Sequence, residues 1–137
     1  MDKGYIYVRT HISYDAEGVC KLGETKITLP DRESTYITGE VRRGKFGLVL
    51  EVQINHTKFI ENILKYKFRD LNIRHDGGTE FFDKKIITQI EPYLQDIGVY
   101  YRKLSEQEIN NLLRRNRLLE RLVLQEQLVQ PDLDLLV

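Results

Sequence analysis

The sequence predicts an α+β fold: a small antiparallel sheet flanked by helices, with a long C-terminal helix. Three observations carry this. Residues 4–10 and 19–23 are two β-rich runs divided by a polar stretch, the pattern of a hairpin with a long loop. Residues 45–54 alternate apolar and polar side chains, the period of a third strand. Between and after these runs, apolar residues recur at three- and four-residue spacing, which is helical.

The first strand, Gly4-Tyr5-Ile6-Tyr7-Val8-Arg9-Thr10, has aromatic or β-branched residues on both faces, as a strand covered on two sides requires. Asp15 and Gly18 supply turn residues, and Val19-Cys20-Lys21-Leu22-Gly23 is the return strand. Pro30 suits the first turn of a helix over 30–38, ended by Gly39. In the third strand, Phe46, Leu48, Leu50, Val52 and Ile54 share one face. Asn55 or Thr57 caps a helix over 57–72, with Phe59, Ile60, Ile63, Leu64, Phe68 and Leu71 as its apolar stripe. His75-Asp76-Gly77-Gly78 breaks the chain, and Glu80-Phe81-Phe82 is long enough only for an edge strand. Ile86, Ile87, Ile90 and Leu94 mark another helix, ended by Gly98, before a short strand at Val99-Tyr100-Tyr101. Ser105 and Glu108 form a capping box that opens a helix reaching Gln130, where Pro131 stops it.

A length of 137 residues is one domain's worth, and 41% hydrophobic with 31% charged residues excludes a disordered or fibrous chain. The lone Cys20 excludes an internal disulfide and a multi-cysteine zinc site. No apolar run reaches the ~20 residues of a membrane span, and no signal-peptide segment opens the chain. A reducing compartment, cytoplasmic or nuclear, is expected. The 21 basic residues balance the 21 acidic ones, but the balance is local nowhere near the middle of the chain. Residues 41–75 hold eight bases (Arg42, Arg43, Lys45, Lys58, Lys65, Lys67, Arg69, Arg74) against three acids. A localised basic patch is either a solvated face or the footprint of a phosphate-backbone partner.

No glycine-rich phosphate loop, paired-cysteine motif or nucleophile elbow is present, and His11, His56 and His75 are scattered. What remains is a set of polar residues at particular points. Tyr5, Tyr7 and Arg9 share one face of the first strand. Lys21 lies on the return strand. Arg32 and Tyr36 are one helical turn apart, and Glu61 borders an apolar helix stripe, where a carboxylate can point into a cleft. Each also has a plain structural role: a core tyrosine, an Arg32 ion pair with Asp31 or Glu33, an acid near a helix start.

Taken in order, Tyr5-Ile6-Tyr7, Lys21-Leu22-Gly23, Arg32, Tyr36, Glu61 and Gly78-Thr79-Glu80-Phe81-Phe82 resemble the GIY-YIG nuclease superfamily over residues 4–95. The nearest branch is the one common in phages and large DNA viruses, in which the second motif reads KIG or KLG. The resemblance implies a catalytic domain over 1–103, a helical extension over 104–137, and metal-dependent hydrolysis of DNA phosphodiesters. Under it Tyr7 is the general base or orients the attacking water, and Lys21 stabilises phosphate charge or lowers the Tyr7 pKa. Arg32 holds the scissile phosphate with Tyr36 close by, and Glu61 binds one Mg²⁺ or Mn²⁺. Tyr5, Arg42, Arg43, Lys45 and Lys65 are the expected DNA contacts. Lys21 replaces the second-motif tyrosine, and Thr79 and Glu80 stand where many members carry an asparagine. Two other readings stay open at this point: an inactive DNA-binding module of the same fold, and an assembly protein.

In the last helix Ile109, Leu112, Leu119 and Val123 form a stripe that includes Asn116, while Leu118 and Leu122 lie towards the other side. A helix apolar on two faces needs two partners, so a homodimer through this helix is expected, with Asn116 setting its register. Arg114, Arg115, Arg117 and Arg121 are read as solvated or paired with Glu106, Glu108 and Glu120.

Overall fold

The computed structural model describes residues 2–37, 42–74 and 80–135. The strands are β1 (Lys3–Thr10), β2 (Val19–Thr25), β3 (Lys45–Gln53), β4 (Phe81–Asp83) and β5 (Arg102–Lys103). They form one antiparallel sheet in the order β4-β2-β1-β3-β5. The helices are α1 (Ile12–Asp15), α2 (Leu29–Ile37), α3 (Thr57–Lys67), α4 (Ile90–Asp96) and α5 (Glu106–Leu135). The expected α+β class is the observed one.

β1 is central because it can bury both of its faces. Ile6 and Val8 join one apolar cluster, with Leu22, Leu48, Leu50, Ile60, Leu64, Phe82, Ile90 and Leu94; this is the α3–α4 side. Tyr7 joins the other, with Leu29, Phe46, Val49, Leu104, Ile109 and Leu113; this is the α2–α5 side. Leu48, Leu50 and Val52 do share a face, but Phe46 does not join them. The pairing of β1 with β3 matches Val8 to Leu48 and Arg9 to Phe46, leaving Gly47 unmatched. That extra residue is a bulge, and it turns Phe46 onto the Tyr7 side. Regular alternation from Phe46 to Ile54 is corrected accordingly.

Other elements differ from expectation for local reasons. The loop after β1 contains α1, whose start is capped by His11 Nδ1 accepting the Ser13 N–H at 3.1 Å. Neither Asn55 nor Thr57 caps α3 through its side chain; a 3-10 turn over Ile54–His56 leads into it. α3 ends at Lys67, and a second 3-10 turn, Arg69–Leu71, completes the expected span. Phe59 leaves the predicted stripe and is 65% exposed. Val99-Tyr100-Tyr101 is not a strand. The Val99 N–H bonds the Leu94 carbonyl across Gly98, whose φ of +75° ends α4, so pairing with the sheet begins only at Arg102. The Ser105–Glu108 capping box is present, each backbone N–H bonded to the other side chain at 3.0 and 3.1 Å. α5 runs through Pro131 to Leu135, so the expected stop at Pro131 is corrected. The Gly39 stop and the His75–Thr79 segment lie outside the described residues. Among the described residues no helix is long and apolar enough to cross a membrane.

Candidate active site

The site is built on the α2–α5 side of β1. Tyr7 is fully buried, and its ring crosses the neighbouring strand at Gly23, its pairing partner. A Cβ at Gly23 would overlap the Tyr7 hydroxyl, so glycine is what lets the phenol extend over β2. α2 then brings two side chains from successive turns onto that hydroxyl. The Tyr7 and Tyr36 hydroxyls are 2.6 Å apart. Arg32 Nε donates to Tyr7 Oη at 2.8 Å, and Arg32 Nη2 donates to Tyr36 Oη at 3.2 Å. The guanidinium therefore spans both hydroxyls with its fixed donor fork. Lys21 Nζ stands 5.0 Å from the Tyr36 ring centre and 5.8 Å from that of Phe81, and pairs with Glu80 at 3.8 Å.

Behind this cluster lies a layer that the sequence did not reveal. Arg9 is fully buried, its guanidinium carbon 4.9 Å from the Tyr36 ring centre and 4.6 Å from that of Phe46. Arg9 Nη1 reaches Glu33 at 3.4 Å. Glu33, fully buried as well, also accepts from Arg43 at 3.1 Å and Arg117 at 3.5 Å. Glu33 thus belongs to the interior and is not the surface ion partner of Arg32. Its position next to Arg32, about 100° further round a short helix, was the available signal. Phe46 was missed because a bulge is invisible to a period-2 pattern.

Glu61 arrives from the other side of the sheet. Its helix neighbours Ile60 and Leu64 pack in the α3–α4 core, and Glu61 is itself 5% exposed. Its Oε1 accepts from Lys58 at 2.9 Å and Lys65 at 3.4 Å. Among the described residues no hydrogen bond joins it to Tyr7, Lys21, Arg32 or Tyr36, yet its charge raises the Tyr7 pKa. The structure therefore brings Tyr7, Arg32 and Tyr36 into direct contact, sets Lys21 against Tyr36, and links Glu61 to them by its field alone.

The expected DNA contacts divide. Lys45 and Arg42 are exposed, Lys65 leans on Glu61, and Arg43 is turned inward to Glu33. Tyr5 is half-buried at the border of the α2–α5 cluster, and burial pushes its phenol up.

Burial also pushes the Tyr7 phenol above its ordinary value. The Tyr36 hydrogen bond and the Arg32 charge pull it back without winning, and Glu61 adds to the rise. Tyr36 moves up strongly by burial and by the Tyr7 oxygen. The expected lowering of the Tyr7 pKa is thus reversed: desolvation of a phenolate outweighs one guanidinium, and Lys21 sits over Tyr36 rather than against Tyr7.

Glu61 fits a hard cation in one respect. Its buried carboxylate already holds a positive group, the Lys58 ammonium, whose pKa rises through that bond. A single carboxylate suits Mg²⁺, which keeps most of its waters. Among the described residues no group of three or more His, Cys, Asp or Glu side chains is placed to hold a metal.

A family model, the T5orf172 domain, matches residues 4–117. The match overlaps all five described strands and runs into α5 as far as Arg117, one of the residues that reach Glu33. No curated protein and no solved structure matches.

Proposed function

The chain belongs to the T5orf172 domain family, a phage-associated domain of nuclease-like, DNA-binding type, and on that premise we propose that it is a metal-dependent DNA endonuclease of the GIY-YIG kind. The observation that carries this reading is the convergence of Tyr7, Arg32 and Tyr36, from two separate elements, on one pair of hydroxyls. A core does not need this arrangement, since two apolar rings would fill the same space without an arginine to satisfy.

In this reading Arg32 binds a non-bridging oxygen of the scissile phosphate. Its guanidinium is held by two neutral oxygens, so its full charge remains for the developing charge on phosphorus. Tyr7 acts as a neutral phenol. With its pKa raised it keeps its proton, shares a hydrogen bond with the Tyr36 hydroxyl and orients the attacking water through Oη. Lys21 adds a second positive charge at the Tyr36 side, with Glu80 as its rim partner. Glu61 would hold Mg²⁺ or Mn²⁺ in place of Lys58, and the ion would supply charge neutralisation and water activation there. Exposed Lys45 and Arg42 extend the positive field along which duplex DNA would lie.

Nicking of supercoiled plasmid tests the proposal. Wild type is expected to relax plasmid with Mg²⁺ or Mn²⁺ and to be silent in EDTA. Glu61→Ala is expected to lose about 100-fold or more of that activity while keeping its circular dichroism. Wild type that cuts no duplex, branched or single-stranded DNA with either metal rejects it in favour of a binding module.

A further inference from the structure

α2 carries two of the three contacting site residues, yet it has little apolar surface to fix its own position. Its buried residues are Leu29 and Glu33. Glu33 stands between Arg32 and Tyr36 in sequence but bonds to neither of them, nor to Tyr7. Instead three guanidiniums from three other parts of the chain converge on it: Arg9 from β1, Arg43 from the segment before β3, and Arg117 from α5. α5 grips the same helix a second time. Asn116 Nδ2 donates to the Pro30 carbonyl at 2.8 Å and reaches Ser34 Oγ at 3.5 Å. Leu113 and Ile109, one and two turns earlier on α5, are buried in the cluster that contains Tyr7.

A fully buried carboxylate is tolerated only where charged donors meet it, and guanidiniums meet it only in one geometry. The seat of α2 is therefore set by where Arg9, Arg43 and Arg117 can reach together. Arg9 also stacks on Tyr36, so the same network touches a site side chain directly.

We infer that Glu33 is a positioning residue for Arg32 and Tyr36, and that the first half of α5 belongs to the reactive face through Asn116 and Arg117. Catalytic groups misplaced by about an ångström lose rate far out of proportion to any loss of binding. The kinetic side of this inference rests on the endonuclease reading; the structural side does not.

The test uses full-length protein labelled with 13Cζ-tyrosine, the Tyr7 and Tyr36 resonances being assigned with Tyr7→Phe and Tyr36→Phe. Glu33→Gln keeps size and planarity but removes the charge. It is expected to shift both resonances, to leave exposed Tyr66 and Tyr100 unmoved, and to lower kcat about tenfold or more with KM changed less than about threefold. Asn116→Ala removes one exposed-side grip without touching the core, and is expected to move the same signals in the same direction by less. It decides the matter if Glu33→Gln does not fold. Unchanged Tyr7 and Tyr36 resonances in a folded variant overturn the inference, as does a lower melting temperature with those resonances unmoved, which would make Glu33 a stabiliser only. If wild type cuts no DNA, the endonuclease reading fails while the tyrosine resonances still decide the positioning role.

Discussion

The two faces of the sheet bury different chemistry. Under α3 and α4 the cluster is aliphatic and aromatic, from Ile6 and Val8 through Leu64 to Leu94. Under α2 and α5 the sheet buries Arg9, Glu33 and Tyr7 along with its leucines, and Tyr36, bonded to Tyr7, is half-buried. An apolar face tolerates small shifts, whereas a polar one must meet its donors and acceptors. Ion pairs in a protein interior add little stability over apolar residues of the same volume. What Arg9 and Glu33 provide is a fixed place for Arg32 and Tyr36. The first face holds the domain together and the second holds atoms in register.

The sharpest contrast comes from one substitution on each face. Leu64→Ala, in the apolar cluster, is expected to cost about 2–5 kcal/mol of stability while leaving the rate per folded molecule near wild type. Arg32→Ala is expected to do the reverse: about a 100-fold or greater loss of nicking with a small change in unfolding midpoint. Denaturation curves and nicking rates on the same preparations check both. Equal activity losses from the two would erase the distinction.

Assembly gives a smaller effect. The outer side of α5 exposes Leu112, Leu119 and Val123, each about half accessible. We propose that this stripe forms a two-fold interface, which would set two single-cut sites side by side. Asn116 takes no part in setting its register, because it is bonded to Pro30 within its own chain. Sedimentation is expected to show a wild-type dimer at micromolar concentration and a monomer for Leu112→Glu/Leu119→Glu. A wild-type monomer ends the idea.

The smallest expected effect is alkaline. Tyr7 and Tyr36 both have pKa values above the unfolded phenol. Below that unfolded value, near ~10, their contribution to stability is fully present. As pH rises past it, the unfolded chain loses protons first and stability falls until the folded phenols titrate. The melting temperature should therefore drop above pH ~10, and drop less in Tyr36→Phe. A phenolate signal from Tyr7 near neutral pH would contradict the neutral-phenol role.

Much of the fold was legible because it rests on local patterns. The hairpin, the covering of the first strand on both faces and the Ser105–Glu108 cap follow from residue type and spacing alone. The misses share a cause, which is that contacts distant in sequence decided them. Gly47 slips the β1–β3 register and moves Phe46 to the other face. Phe59 fits the helical period but stays exposed, since among the described residues no element covers it. Of the candidate site, Tyr7, Arg32 and Tyr36 were visible as an ordered set, and the structure joins them. The sequence shows Arg9 only as a strand-face residue and Glu33 only as an ion partner of Arg32; their burial was not visible, because a charged residue in a sequence carries no sign of it until its partners are known.

Tyr7→Phe tests the central claim most directly. It removes one oxygen, the point on which Arg32 and Tyr36 converge, and leaves the ring that packs against Phe46 at 5.3 Å. In the supercoiled-plasmid assay with Mg²⁺, the variant is expected to stay folded, to bind DNA as wild type does, and to nick about 100-fold or more slowly. Nicking at the wild-type rate would show that the paired hydroxyls are packing alone.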